Sequence, residues 1–137
     1  MRPYLAALYS ALTNDGVIAG YVSDRISHGR GQAEDSFPYI TFERLQLDDV
    51  AYDTGQTTIE TGQILFHVFS TNDTTVAAVL DAIETLLKRT RLTLTVGTNL
   101  DNWKMSDGIN EDPDRTEAGL TVWDGTMITG YRVQRSS

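Results

Sequence analysis

One segment of the sequence, from residue 60 to residue 91, constrains the fold more than any other. Residues 63–69 place Ile64, Phe66 and Val68 at alternate positions. Leu65, His67 and Phe69 occupy the positions between them. Because successive side chains of a strand point to opposite faces of a sheet, this largely apolar run predicts a central strand that is covered on both faces.

A long amphipathic helix is predicted directly after this strand, over residues 74–90. Its apolar residues recur at helical spacing: Val76, Val79, Leu80, Ile83, Leu86 and Leu87. One helix can cover only one face of a sheet, and 137 residues leave little to cover the other. We therefore expect a partner subunit on the second face, with the central strand at the interface. The predicted interface residues are Ile64, Phe66, Val68, Leu65, His67 and Phe69.

The remaining segments predict an α+β fold in a single domain over residues 1–137. The pattern indicates a helix at 3–12, a helical turn at 17–22, a loop at 27–36 and a strand at 38–47. An acidic hairpin loop is expected at 48–60, short strands at 92–96 and 101–105, and a solvated acidic loop at 107–117. Residues 123–126 (Trp-Asp-Gly-Thr) predict a hairpin turn between strands at 119–123 and 127–134. The predicted architecture is an antiparallel β-sheet with one long and one or two short helices packed on one face.

Composition and charge exclude several classes of protein. The sequence has no cysteine, and no apolar run approaches the roughly 20 residues that a membrane helix needs. We expect no secretory signal, because the N-terminus is amphipathic. The net charge of −8 is uneven: residues 34–60 carry −6 and residues 101–124 carry −5. Without a stripe of Lys and Arg, specific binding to nucleic acid is not expected.

A search for catalytic or metal-binding patterns finds little. His28 and His67 are isolated, and two histidines without cysteine or a carboxylate pair at ligand spacing make a poor metal site. Ser70, His67 and Asp73 could be combined into a triad only on paper, since nothing indicates the required geometry. The acidic run 107–117 does not keep the ligand spacing of an EF-hand. We therefore expect no enzyme activity, no cofactor and no metal.

The order of these elements resembles a known family. An N-terminal helix ends near Ser23-Asp24-Arg25-Ile26, and Phe37-Pro38-Tyr39-Ile40-Thr41-Phe42 follows. After a long loop come the strand 64–70 and the helix 76–87. This order is similar to the small tail-completion proteins of long-tailed bacteriophages, also called tail terminators or tail-to-head joining proteins. The resemblance covers roughly residues 4–90.

The resemblance implies a structural virion protein that assembles in the host cytoplasm. It implies a ring, usually a hexamer, at the head-proximal end of the tail tube, where it stops tube polymerisation and joins the tail to the head. The implied partners are the tail tube protein and the head–tail connector protein, with DNA passing through the ring without specific binding. A head-side connector or stopper (neck) protein and a small-ligand-binding module stay open as alternatives.

Two acidic segments are the candidates for contacts beyond the ring interface. We expect the loop after the first long strand to bind the tail, through Asp48, Asp49, Val50, Tyr52 and Asp53. Because negative charge repels DNA, the second segment is expected to line the channel, with ordinary solubilising charge as the alternative. Its candidate residues are Asp107, Glu111, Asp112 and Asp114.

Overall fold

A single mixed sheet organises the computed structural model, which describes residues 3–29, 37–51, 57–95, 97–117 and 119–136. Within these ranges, only the backbone is described at 46–51, 57–58, 113–117 and 135–136. The helices are α1 (Pro3–Asn14), α2 (Gly16–Val22) and α3 (Asp73–Arg89). The strands are β1 (Ile26–His28), β2 (Tyr39–Ala51), β3 (Thr57–Ser70), β4 (Thr98–Glu117) and β5 (Leu120–Ser136).

The five strands of the described part have the order β1-β2-β3-β5-β4, which makes β3 the central strand. Every neighbouring pair is antiparallel except β1 and β2, which are parallel over three residues. The α+β prediction, with one long and two short helices, is therefore confirmed. The short parallel strand β1 was not expected, since residues 27–36 were predicted to be a loop; residues 30–36 lie outside the described part of the chain.

The hydrophobic core lies between the helices and one face of the sheet. Ile64, Phe66 and Val68 of β3 are fully buried and belong to a cluster that includes residues of all three helices. From α3 the cluster contains the residues that the helical spacing singled out: Val76, Val79, Leu80, Ile83 and Leu87, with Leu86 partly buried beside them. The apolar face of α3, which repeats every 3.6 residues, thus packs against the apolar face of β3, which repeats every 2 residues.

Two side chains fix where α2 and α3 begin. Asp15 Oδ1 accepts hydrogen bonds from the backbone N–H groups of Val17 (3.0 Å) and Ile18 (2.9 Å). Asn72 Oδ1 does the same for Thr74 at 2.9 Å. Both are N-caps, which satisfy amide groups that have no partner within the helix. Lys88 and Arg89 lie in the last turn of α3, where positive charge complements the helix dipole.

The predicted hairpin turn at 123–126 is wrong, because β5 runs through it without interruption. Asp124 pairs with Phe69 in the β3–β5 ladder, and Gly125 pairs with Val68. A Cβ atom on Gly125 would overlap the side chain of Val76, so this glycine lets α3 approach the sheet. The hairpin instead turns between Glu117 and Leu120, at a position where Gly119 has a φ of 79°.

The two acidic segments that were predicted to be loops are largely strands. Residues 48–51 belong to β2, and Thr57 to Glu60 belong to β3, which leaves only residues 52–56 between them. Residues 107–117 belong to β4, which is the edge strand beside β5. Threonine and isoleucine favour the pleated backbone, and pairing with a hydrogen-bonded neighbour outweighs the polar character of these segments. Residues 92–95 form no strand, contrary to the prediction for 92–96.

Candidate assembly surface

The structure divides the predicted interface residues of β3 between two environments. Ile64, Phe66 and Val68 are 0% exposed and lie in the protein's own core, so they are not accessible to a partner. Leu65, His67 and Phe69 point to the opposite face and are half-buried. We call the side of the sheet that faces away from the helices the outer face. Within the described part of the chain no helix packs on it, as the sequence argument anticipated.

Aromatic rings form a continuous row on the outer face. The rings of His67 and Phe69 stack with centroids 5.6 Å apart, and Phe69 contacts Tyr39 at 4.9 Å. Tyr39 in turn contacts Phe37 at 5.4 Å. Tyr39 is only 1% exposed, whereas Phe37, His67 and Phe69 are half-buried. The half-buried rings offer an apolar area that costs little side-chain entropy to immobilise, which suits a protein contact.

His67 is fixed within this row by an acidic neighbour from the next strand. Its Nδ1 atom lies 2.9 Å from Oδ1 of Asp124, and both side chains are about one quarter exposed. The sequence argument weighed His67 only with Ser70 and Asp73, and it missed Asp124 because that residue was placed in a turn. The observed pair holds the imidazole ring beside Phe69. The contact with Asp124 therefore positions His67 within the aromatic row.

On the helical side of the sheet, a buried polar network connects α1 to β3, β4 and β5. The Tyr131 hydroxyl donates to Oε2 of Glu60 at 3.0 Å, and the Tyr4 hydroxyl donates to Oδ1 of Asn102 at 2.6 Å. Asn99 bridges from Asn102 to the backbone N–H of Leu92. Glu60, which was expected at the end of an acidic hairpin loop, is only 4% exposed. This network is fully enclosed and therefore structural.

The acidic residues of β4 lie along an edge of the sheet. Asp107 is exposed and pairs with Lys104 at 3.2 Å, while Lys104 also pairs with Glu84 of α3 at 3.0 Å. Hydrogen bonds from Lys88 and Lys104 lower the pKa of Glu84 below its usual range. Glu111 is exposed and Asp112 is half-buried.

For the other acidic candidates the structure describes the backbone alone or nothing. Asp114 lies in β4, but the structure describes only its backbone. Of the predicted tail-binding residues, Asp48, Asp49 and Val50 lie in β2, opposite Thr61, Glu60 and Ile59. Tyr52 and Asp53 lie outside the described residues. The structure thus brings the first three to the end of the β2–β3 hairpin and leaves their side chains undescribed.

Several exposed residues were not singled out by the sequence. Trp103 and Met105 on β4 are 38% and 49% exposed, and the Trp103 ring covers Gly130 of β5. A groove of about 430 Å³ lies between α2 and α3, lined in part by the exposed Val17 and Tyr21 and by Arg89. Alternation of polar and apolar residues could have identified Trp103, whereas the groove depends on how two helices meet.

Neither a metal-binding cluster nor a membrane-spanning helix is found among the described residues. They contain no group of three or more His, Cys, Asp or Glu side chains that could hold a metal ion. None of the helices described is both long and apolar enough to cross a bilayer. What the fold does present is a half-buried aromatic sheet face, two acidic hairpin ends and a helical groove. These features define a small α+β protein with several surfaces suited to protein contacts.

Comparisons with known proteins agree with this class. The family model described as "Tail completion protein gp17" matches residues 6–124, so the chain belongs to the tail completion protein family. It is therefore a structural component of phage-like virions. The fold is similar to that of a chain in a solved virion of a native gene transfer agent particle, with a TM-score of 0.75 and 18% identity. That similarity covers 94% of this chain and 92% of the other. A comparison with curated proteins gives no match.

Proposed function

We propose that this protein is the tail terminator of its particle. Copies of the chain form a ring, most simply a hexamer, on the head-proximal end of the tail tube. The ring stops polymerisation of the tube protein and provides the surface to which the head connector binds. The observation that carries this proposal is the match of the tail completion family over residues 6–124.

The outer face supports ring formation. Leu65, His67 and Phe69 are only half-buried in the single chain, and the aromatic row around them resembles the apolar centre of a protein interface. A second copy that covers this face would remove apolar area from water, which is worth about 25 cal/mol per Å². Ile64, Phe66 and Val68 contribute indirectly, because they hold β3 against the helices.

The two acidic hairpin ends have separate proposed roles. The end of the β2–β3 hairpin, with Asp48, Asp49 and Val50 on β2 and Tyr52 and Asp53 beyond it, contacts the tail tube. The acidic residues of β4 that line the channel in this proposal are Asp107, Glu111, Asp112 and Asp114. Negative charge along the channel repels the DNA backbone, so DNA passes without being held.

The experiment that tests the terminator proposal combines oligomer size with tail joining. We expect the wild-type protein to form rings that restore tail length and head joining in particles lacking the gene. Phe69→Glu, which places a charge in the aromatic row, should prevent ring formation and joining. Leu65→Gln is a milder change on the same face and should weaken assembly if the glutamate variant does not fold. Tyr9→Glu alters an exposed aromatic residue on the helical side and serves as the matched control.

Light scattering gives the oligomer size, and electron microscopy gives tail length. A wild-type protein that stays monomeric on purified tails and leaves their length uncontrolled would contradict the terminator proposal. A protein that binds heads but not tails would instead identify a head-side stopper.

A further inference from the structure

The exposed side chain of Trp103 lies on the same face of the sheet as the proposed ring interface. Trp103 pairs with Gly130 on β5, and Leu65 pairs with Ile128, two residues earlier on that strand. Paired residues of antiparallel strands point to the same side of a sheet, and Leu65 belongs to the outer face, so Trp103 does too. Asn102, the residue before it, is buried on the helical side. Trp103 therefore extends the outer face onto the edge strand β4.

A glycine beneath the indole ring of Trp103 fixes where that ring lies. A Cβ atom on Gly130 would overlap the indole, so only glycine lets the ring lie against the backbone of β5. Glycine within a strand costs conformational entropy and packs no side chain of its own. The ring nevertheless stays 38% exposed. A rigid and exposed tryptophan is the kind of residue that carries much of the binding energy in protein interfaces.

On the helical side of the same chain, the groove between α2 and α3 has a mixed lining. Its volume of about 430 Å³ lies within the range of sites that bury a drug-sized molecule, so it has room for an indole ring. Val17 and Tyr21 of α2, 63% and 39% exposed, line it on one side. Its charged residues are Asp15, Asp81 and Arg89. The groove is thus partly apolar and carries a formal charge of −1.

Asp15 gives the α2 side of the groove a hydrogen-bond acceptor. Its Oδ1 atom caps α2, and its Oδ2 atom accepts no hydrogen bond from any residue that the structure describes. The complementary side chain is a large apolar ring with one N–H donor and no acceptor. Tryptophan is the side chain with that combination. Within the described part of the chain, Nε1 of Trp103 has no hydrogen-bond acceptor of its own.

We propose that Trp103 of one copy inserts into the α2–α3 groove of the next copy, with its ring against Val17 and Tyr21 and its Nε1–H donating to Asp15. The proposal rests on the proposed ring and names the surface that meets the outer face. Trp103 and the groove lie on opposite sides of one sheet, so a chain cannot make this contact with itself. A contact between two different patches is heterologous, and such contacts form a ring when the rotation between copies closes.

The fluorescence of Trp103 tests whether this residue becomes buried on assembly. The chain has two tryptophans, and Trp123→Phe leaves Trp103 as the only one. We expect its emission maximum to move to shorter wavelength as rings form, because the indole passes from water into an apolar groove. Native mass spectrometry at the same protein concentrations gives the fraction of rings. If Trp123→Phe does not fold, protection of the wild-type protein from acrylamide quenching gives the same information.

Substitutions on each side of the contact should weaken assembly. We expect Trp103→Ala to raise the concentration needed for half-assembly at least thirtyfold, and Val17→Asp at least tenfold. Trp103→Phe keeps a ring and loses the N–H donor, so it should raise that concentration only about threefold to tenfold. Thermal unfolding followed by circular dichroism verifies that each variant folds.

Matched controls separate this contact from general effects of size and charge. Leu120→Ala removes an exposed apolar side chain near the turn of the β4–β5 hairpin, and it should leave assembly unchanged. Thr74→Asp adds the same charge as Val17→Asp at an exposed position of α3 outside the groove, and it should also have no effect.

A cross-link between copies tests the geometry. The chain has no cysteine, so Ser106→Cys on the outer face and Thr85→Cys in the groove place one thiol on each side of the contact. We expect a short bismaleimide to join the double variant into a ladder that reaches the size of the ring. Each single variant should give no more than dimers, because one thiol per chain joins at most two copies. Ser106→Cys with Lys88→Cys, which lies outside the groove, is the matched pair and should give no ladder.

Four results would overturn the inference. Rings in which the emission of Trp103 stays that of a water-exposed indole would do so and leave the terminator proposal intact. Rings of wild-type stability from both Trp103→Ala and Val17→Asp would have the same meaning. Intact rings of these variants that no longer join tails would assign the groove to another virion protein. A wild-type chain that never assembles, even on tails, would remove both this contact and the terminator proposal.

Discussion

The ring of Tyr4, in the first turn of α1, stacks flat on the ring of Tyr131 in β5, with centroids 3.7 Å apart and planes 7° apart. The two hydroxyl groups diverge, with Tyr4 donating to Asn102 and Tyr131 donating to Glu60. One stacked pair therefore ties the N-terminal helix to three strands of the sheet. Gly62 permits this arrangement, because a Cβ atom there would overlap the Tyr131 ring.

Tyr4→Phe should destabilise the fold modestly at neutral pH and reduce its sensitivity to alkali. The stack remains, while loss of the hydrogen bond costs about 1 kcal/mol. Burial raises the pKa of Tyr4 well above its usual value near 10. A raised pKa in the folded state gives stability that is complete below the pKa of the unfolded chain and is lost as pH rises above it. Wild type should therefore lose more unfolding free energy than Tyr4→Phe between pH 9 and about pH 11. Urea unfolding at both pH values measures this, and equal losses would contradict it.

Gly125→Ala should destabilise the protein by about 1–3 kcal/mol, the usual cost of overpacking a core. The added methyl group would meet Val76 and Leu80, which pack α3 against β5. Gly108→Ala on the neighbouring strand is the matched control, because a Cβ atom there meets nothing within 4 Å. Thermal unfolding of both variants measures the difference, and two equally stable variants would show that α3 can shift to accommodate the methyl group.

The start of α3 provides a further quantitative prediction. Asn72→Ala removes the oxygen that accepts from the amide groups of Thr74 and Thr75, and it should cost about 1 kcal/mol. Asn110→Ala, at an exposed position of β4, should change stability by less than about 0.5 kcal/mol. Urea unfolding of the two variants would reveal the contrast, and equal midpoints would mean that the cap contributes nothing measurable.

How far the sequence predicted this fold depends on the range of the interactions involved. Helix α3 and the inward face of β3 follow from local periodicity, since Val76, Val79 and Phe66 lie where their spacing requires. The pair Asp124-Gly125 was interpreted as a turn because the same residues favour turns and close packing. Only the position of α3 above the sheet distinguishes a turn from a closely packed strand at this point. That position depends on Val76 and Leu80, which are 45 or more positions away in the sequence. The outer face was anticipated in the same local way, whereas the His67–Asp124 pair and the helical groove require the tertiary structure.

The end of the β2–β3 hairpin should determine tail binding without supporting the fold. Replacing residues 52–56 by a short glycine-containing turn leaves the ladder intact, because Ala51 already pairs with Thr58. We expect unchanged thermal stability and ring size, together with tails of uncontrolled length or tails that do not join heads. Electron microscopy of complemented particles measures both outcomes. Normal tails from this variant would exclude the hairpin end from the contact with the tail tube.

Reversing the charge of the proposed channel acids should make the ring retain DNA. Asp107→Lys with Glu111→Lys changes the charge of each subunit by +4, so the channel of a hexamer would be much less acidic than in the wild type. Each new contact with a phosphate releases counterions, so retention should fall steeply as salt rises.

Asp81→Lys with Asp73→Lys makes the same change on α3, away from the proposed channel, and should not cause retention. Gel-shift and filter-binding assays at 50 and about 200 mM salt measure the effect, and genome ejection from reconstituted particles should slow while tail length stays normal. Equal DNA retention by both pairs would show that the acidic residues of β4 serve solubility alone.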